Sequence, residues 1–179
     1  MLFLSDIHAD LFHQDRIIFL NDHIDRENST DIVAQLRYLE ARDPRADITL
    51  IINSPGGEVN SGFFILDTMR TIRPNVATLC GGIAGSMSAV LFSSGAKGKR
   101  GIYENAELMF HTVSSMVSGK ERDIALPAEH TSQLNTRLLK IIAHNCGKSY
   151  EEISGDLEHD FYLTAVEAVE YGAADFIVK

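Results

Sequence analysis

The chain has 179 residues, 45% of them hydrophobic and 23% charged, and its 16 Lys and Arg against 25 Asp and Glu give a formal net charge of -9. Such a composition buries a core and excludes a disordered or collagen-like chain, while the negative charge repels a nucleic-acid backbone and an anionic membrane alike. No run approaches the roughly 18 apolar residues of a membrane span, and the apolar start is broken at Asp6 with no basic segment before it, unlike a secretory signal. A cytoplasmic protein is therefore expected. Cys80 and Cys146 stand apart with no CxxC and no Cys/His cluster, which argues for reduced, buried thiols and against zinc or disulfides.

In chain order, residues 1–15 read as an N-terminal arm, and Ile17, Ile18, Phe19 and Leu20 form a short apolar run. Over 29–43, Ile32, Val33, Leu36 and Leu39 recur at helical spacing. The β-branched run 48–52 suits a buried parallel strand. Val59, Phe63, Leu66 and Met69 then line one helical face, and 76–80 reads as another strand. Ser86 opens a small-residue helical stretch. After the apolar run Leu108, Met109 and Phe110, residues 112–122 fit neither period, so a projecting or irregular element is expected there, followed by a helical pattern that contains Pro127. Ser149 with Glu152 and Thr164 with Glu167 are capping boxes, in which hydroxyl and carboxylate reciprocally satisfy free amides. The second of these helices stops at Gly172, and 175–178 suits a final strand. No repeat or linker divides the chain. The alternation predicts a single α/β domain with right-handed crossovers.

Three segments have residues suited to chemistry. Asn53-Ser54-Pro55-Gly56-Gly57 follows a strand, where glycines let backbone amides face a ligand oxygen, although a plain turn uses the same letters. In Gly81-Gly82-Ile83-Ala84-Gly85-Ser86-Met87-Ser88, Ser86 stands at a helix start, as a nucleophile beside free amides or simply as an N-cap. The Gly-x-Ser-x-Gly elbow is absent, since positions 84 and 88 are Ala and Ser. His111 closes an apolar run, as a general base or as a structural histidine, and spacing alone does not select it over His130, His144 or His159. Asp160 by itself reads as solvated surface.

The combination Arg16-Ile17-Ile18-Phe19-Leu20, Ile52-Asn53-Ser54-Pro55-Gly56-Gly57, Asp67-Thr68-Met69, Gly95-Ala96-Lys97-Gly98-Lys99-Arg100 and Glu167-Ala168-Val169-Glu170-Tyr171-Gly172 resembles, in one order from Arg16 to the C-terminus, the ClpP family. These are the proteolytic subunits of the ATP-dependent caseinolytic (Clp) proteases. The resemblance implies a crotonase-like α/β fold of repeated ββα units, with a peptidase domain over 16–179 and a projecting handle near 114–142. It implies a serine endopeptidase with nucleophile Ser86, general base His111, orienting carboxylate Asp160 and an oxyanion hole of the Gly57 and Met87 amides. No metal or organic cofactor is implied. Heptameric rings would stack into a tetradecamer around a chamber fed with unfolded polypeptide by an AAA+ unfoldase such as ClpX or ClpA.

Four features differ from the family pattern. His111-Thr112-Val113 replaces the common His-Gln-Pro, Pro127 falls in the handle helix, the arm before Arg16 differs from the family's axial segment, and His159 precedes Asp160 where an Arg is usual. Beside Glu158, His159 would make ring pairing weaken as pH rises through its titration. They leave room for a non-catalytic or conditionally active subunit that completes a mixed ring with a ClpP paralogue. A crotonase-type acyl-CoA enzyme is the remaining alternative, disfavoured because Glu58 is the one acid near the glycine turns and the sequence shows no basic pocket for CoA phosphates.

Overall fold

The apolar runs become strands of one sheet, and their register sets where the polar residues after them end up. The computed structural model describes residues 4–113 and 121–179. The elements are α1 (Leu4–His13), β1 (Ile17–Leu20), α2 (Arg26–Arg42), β2 (Ile48–Ser54), α3 (Val59–Thr71), β3 (Val76–Gly85), α4 (Met87–Ser93), β4 (Arg100–Tyr103), β5 (Glu107–Phe110), α5 (Glu121–Cys146), α6 (Tyr150–Asp156), β6 (Phe161–Thr164), α7 (Ala165–Glu170) and β7 (Phe176–Val178). This is the mixed α/β architecture expected.

Strands β1, β2, β3, β4 and β7 pair in that order, all parallel. β3 forks the sheet: Thr78–Cys80 pair with β4, whereas Ile83–Gly85 pair with β5, which in turn pairs antiparallel with β6. The strand expected over 76–80 extends further: β3 runs on through Gly81 and Gly82 to Gly85. Gly82 sits at φ 90 with the Asn53 side-chain oxygen where a Cβ would lie, so glycine lets the strand change partners there.

Both C-terminal capping boxes form as expected, and Gly172 takes the left-handed conformation (φ 85) just beyond α7. Helix α2 starts three residues before position 29, because Asp25 and Asn28 make their own capping box. Ser29 is instead buried and donates to the Arg26 carbonyl. The arm is mostly helix: α1 reaches the core through Phe12, with His8 against Phe19 and Phe12 stacked on Tyr38. Of the expected handle, 114–120 lie outside the described residues. Positions 121–122, expected to be irregular, open α5, which continues through position 127.

The core is filled by residues such as Leu50, Ile52, Leu91, Phe92 and Phe110. Cys80 and Cys146 are free and buried within it. Burial pushes the Cys80 thiol up to about 12, and burial, partly offset by Arg100, Lys148 and Lys97, pushes Cys146 up to about 11. Both are therefore neutral and poor nucleophiles. Among the described residues no helix is long and apolar enough to cross a membrane.

Candidate active site

The fork in the sheet brings the three chemically suggestive segments together. In β3 and β5, Gly85 pairs with Met109, so Ser86 leaves β3 beside the end of β5. In β5 and β6, Phe110 pairs with Phe161, so one further step along the same antiparallel register sets His111 opposite Asp160. Pairing thus delivers a hydroxyl, an imidazole and a carboxylate to one edge.

His111 Nε2 lies 2.8 Å from Ser86 Oγ. On the other side of the ring, Nδ1 lies 3.4 Å from Asp160 Oδ1, longer than the usual range of about 2.7–3.2 Å. Asp160 is 60% exposed at its side chain and His111 30%. With the ring proton on Nδ1 facing the carboxylate, Nε2 is left to accept from the serine hydroxyl.

Ser86 occupies the cap position of α4, but its side chain makes no capping hydrogen bond, so the bland reading of an N-cap serine does not describe it. Its backbone is at φ 53, ψ -124, a conformation that costs a non-glycine residue about 1–3 kcal/mol and persists only when neighbours impose it. The neighbours are visible. The Ser86 amide donates to Met109 O at 2.7 Å, and its carbonyl accepts from the Ala89 and Val90 amides.

The Pro55–Gly57 segment packs directly on this elbow. A Cβ on Gly56 would lie 2.7 Å from Ser86 Cβ and 2.9 Å from the Met87 nitrogen, so no side chain fits there. Gly57 forms a parallel bridge with Ile24, flanked by Ile24 N to Gly56 O at 2.7 Å and Glu58 N to Ile24 O at 2.8 Å. The segment is therefore not a plain turn: it is bridged to Ile24 and serves as one wall of the site. Among the described residues neither the Gly57 nor the Met87 amide has an acceptor. Both residues line the same small cleft as Ser86 and His111, about 70 Å³ in volume and walled by Val59, Phe110, Val113, Leu138 and Ile142. The cleft thus sets apolar walls beside a half-buried hydroxyl.

Two buried serines, not singled out from the sequence, tie the walls together. Ser88 Oγ lies 2.6 Å from Ser54 O and 2.7 Å from Gly85 O, while Ser54 Oγ donates to Asp22 O and accepts from the Gly56 amide. Their signal in the sequence was faint, since each sits inside a segment already explained by its glycines. Ser88→Ala should keep the fold, because no cavity opens, but loosen the segment against the elbow. The expected result is a loss of about 1 kcal/mol of stability, the worth of one buried hydrogen bond. Urea unfolding followed by circular dichroism measures it.

His159 is exposed and has no ion-pair partner among the described residues, Glu158 included. His130 and His144 lie on α5, away from Ser86 in sequence and not on the cleft wall. One expectation is corrected. A basic cavity does exist, lined by Arg70, Lys97, Arg100, Arg137, Lys140 and His144, and it was invisible in the sequence because its residues come from separate elements. It lies on a different face of α5 from the Ser86 cleft, so it does not place CoA phosphates beside that serine. In comparison with known families, the model described as Clp protease matches residues 4–179, thereby including most of the arm.

Proposed function

The chain belongs to the Clp protease family, and from that premise we propose that it is a serine endopeptidase subunit cleaving unfolded polypeptide in the cytoplasm, inside a ring-shaped chamber supplied by an AAA+ unfoldase. The observation that carries the reading is the 2.8 Å approach of His111 Nε2 to Ser86 Oγ next to the acceptor-free Gly57 and Met87 amides. In the proposed reaction Ser86 Oγ attacks a peptide carbonyl carbon as His111 takes its proton. The carbonyl oxygen becomes an oxyanion held by the two amides, and His111 then protonates the departing amine. Water, deprotonated by the same imidazole, attacks the acyl-enzyme and releases the acid product and Ser86. Asp160 holds the ring and stabilises its protonated form.

A non-catalytic or conditionally active subunit of a mixed ring is the second reading. The 3.4 Å gap between His111 and Asp160, with Asp160 well exposed, favours it. Native mass, hydrolysis of a short fluorogenic peptide and labelling by a fluorophosphonate, measured on one preparation, separate the two. Hydrolysis and labelling by the protein alone support independent activity. A ring that labels only after mixing with a paralogue supports the conditionally active subunit, and an assembled ring that never labels, alone or beside a paralogue, overturns the peptidase reading and supports the non-catalytic subunit.

A further inference from the structure

The basic cavity is the strongest feature that the peptidase reading leaves unused. In a chain of net charge -9, Arg70 from α3, Lys97 from the α4–β4 loop, and Arg137, Lys140 and His144 from α5 converge on a space of about 860 Å³. Among the described residues no carboxylate lines it. Arg100 forms part of the wall but is spoken for, with its guanidinium on Asp175, Ser93 O and Asn145 O. Among the described residues Arg70, Lys97, Arg137 and Lys140 have no ion-pair partner; Arg137 rests over the Phe63 ring, 5.3 Å from its centroid.

A simpler explanation is that these cations answer the negative ends of helices. Helices α3, α4 and α5 do end here, at Thr71, Ser93 and Cys146. Each end is equivalent to about half a negative charge, confined to the last turn. Three ends thus offset about 1.5 charges, against four unpaired cations before His144 is counted. Arg137 and Lys140 also lie before the last turn of α5, beyond the dipole's reach. An excess of at least two positive charges is left facing a concave space.

We propose that this cavity binds a small multivalent oxyanion, one bearing two or more phosphoryl or carboxylate groups. The two guanidinium forks of Arg70 and Arg137 match either group in bidentate fashion, and Lys97 and Lys140 add mobile point charges. The volume falls within the range of small-molecule sites. Helix α5 connects the cavity to the cleft: Arg137, Lys140, Ile141 and His144 face the anion, while Leu138 and Ile142 wall the Ser86 cleft. An anion there braces the back of the helix whose front lines the cleft.

The test is calorimetric titration of the full-length protein, in its native assembly, with tripolyphosphate and separately with citrate, against sodium chloride of matched ionic strength. Saturable binding is expected for at least one of the two, and the tighter of them identifies the oxyanion. Lys97→Ala and Lys140→Ala should each weaken that binding about 10-fold or more, as the loss of a charge-assisted contact does. Lys148→Ala, on a lysine paired with Glu152 outside the cavity, should leave it unchanged. Absence of saturable binding, or equal affinity in the Lys97 and Lys140 variants, overturns the proposal. The readout is independent of peptidase activity, so failure of either reading leaves the other standing.

Discussion

Ser86→Ala should lower peptide hydrolysis by about 10⁶-fold and abolish fluorophosphonate labelling, with the thermal unfolding midpoint changed little. Loss of one hydroxyl from a partly exposed position opens no cavity. The size of the activity loss follows from the cooperation of the group: without Oγ no acyl-enzyme forms, and what remains is the positioning supplied by the cleft and the amides. His111→Ala should be nearly as damaging, since a serine hydroxyl without its base is a weak nucleophile, and the double variant should be scarcely worse than either single one. Asp160→Asn should cost distinctly less, because its contact is 3.4 Å long and open to solvent. Steady-state hydrolysis of one fluorogenic peptide by all four variants checks the series. Retention of most activity by His111→Ala would show that another group serves as base.

Arg100→Met should destabilise the fold by about 3–5 kcal/mol, the penalty of breaking a buried ion pair from one side. Arg100 is 1% exposed. Its Nη2 lies 2.6 Å from Asp175 Oδ1, while its Nε and backbone amide each reach Oδ2 at 2.9 Å. The remaining guanidinium nitrogen donates to Ser93 O and Asn145 O, so one side chain joins β4, the bend just before β7 and the ends of α4 and α5. Lysine lacks the fork and does not replace it. Urea unfolding followed by circular dichroism measures the change.

The same pair has a pH signature. Burial raises the Asp175 carboxyl, but the hydrogen bonds and charge of Arg100 outweigh it and leave the group below its ordinary value. A carboxylate depressed in the folded state adds stability above its unfolded pKa of about 3.9, which is lost as pH falls through the folded value. Wild type should therefore lose this increment on acidification below about pH 4. Arg100→Met, which has already lost it, should show a flatter acid limb.

Much of the molecule was legible wherever the deciding interactions are local. Ser149 and Thr164 cap helices because their partners, Glu152 and Glu167, sit one turn away. Gly172 ends α7 because φ 85 suits glycine. The reading was weakest where distant pairing competes with local letters. The strand expected over 76–80 extends through Gly81 and Gly82 to Gly85, because Thr78–Cys80 before them pair with β4 and Ile83–Gly85 after them pair with β5. Nor does any local signal mark Arg70, Lys97, Arg137 and Lys140 as neighbours.

The sequence by itself determined the helix caps, the apolar strands, the composition of the core and, through resemblance to a family, which serine, histidine and aspartate to compare. Only tertiary structure decided that Ser86 adopts φ 53, that His111 reaches it at 2.8 Å, and that five cations share a cavity. The reason is one of range. A cap or a hydrophobic face is settled by residues three or four positions apart, whereas the elbow is imposed by Met109, the Gly56 contact by β2, and the cavity by three helices ending together.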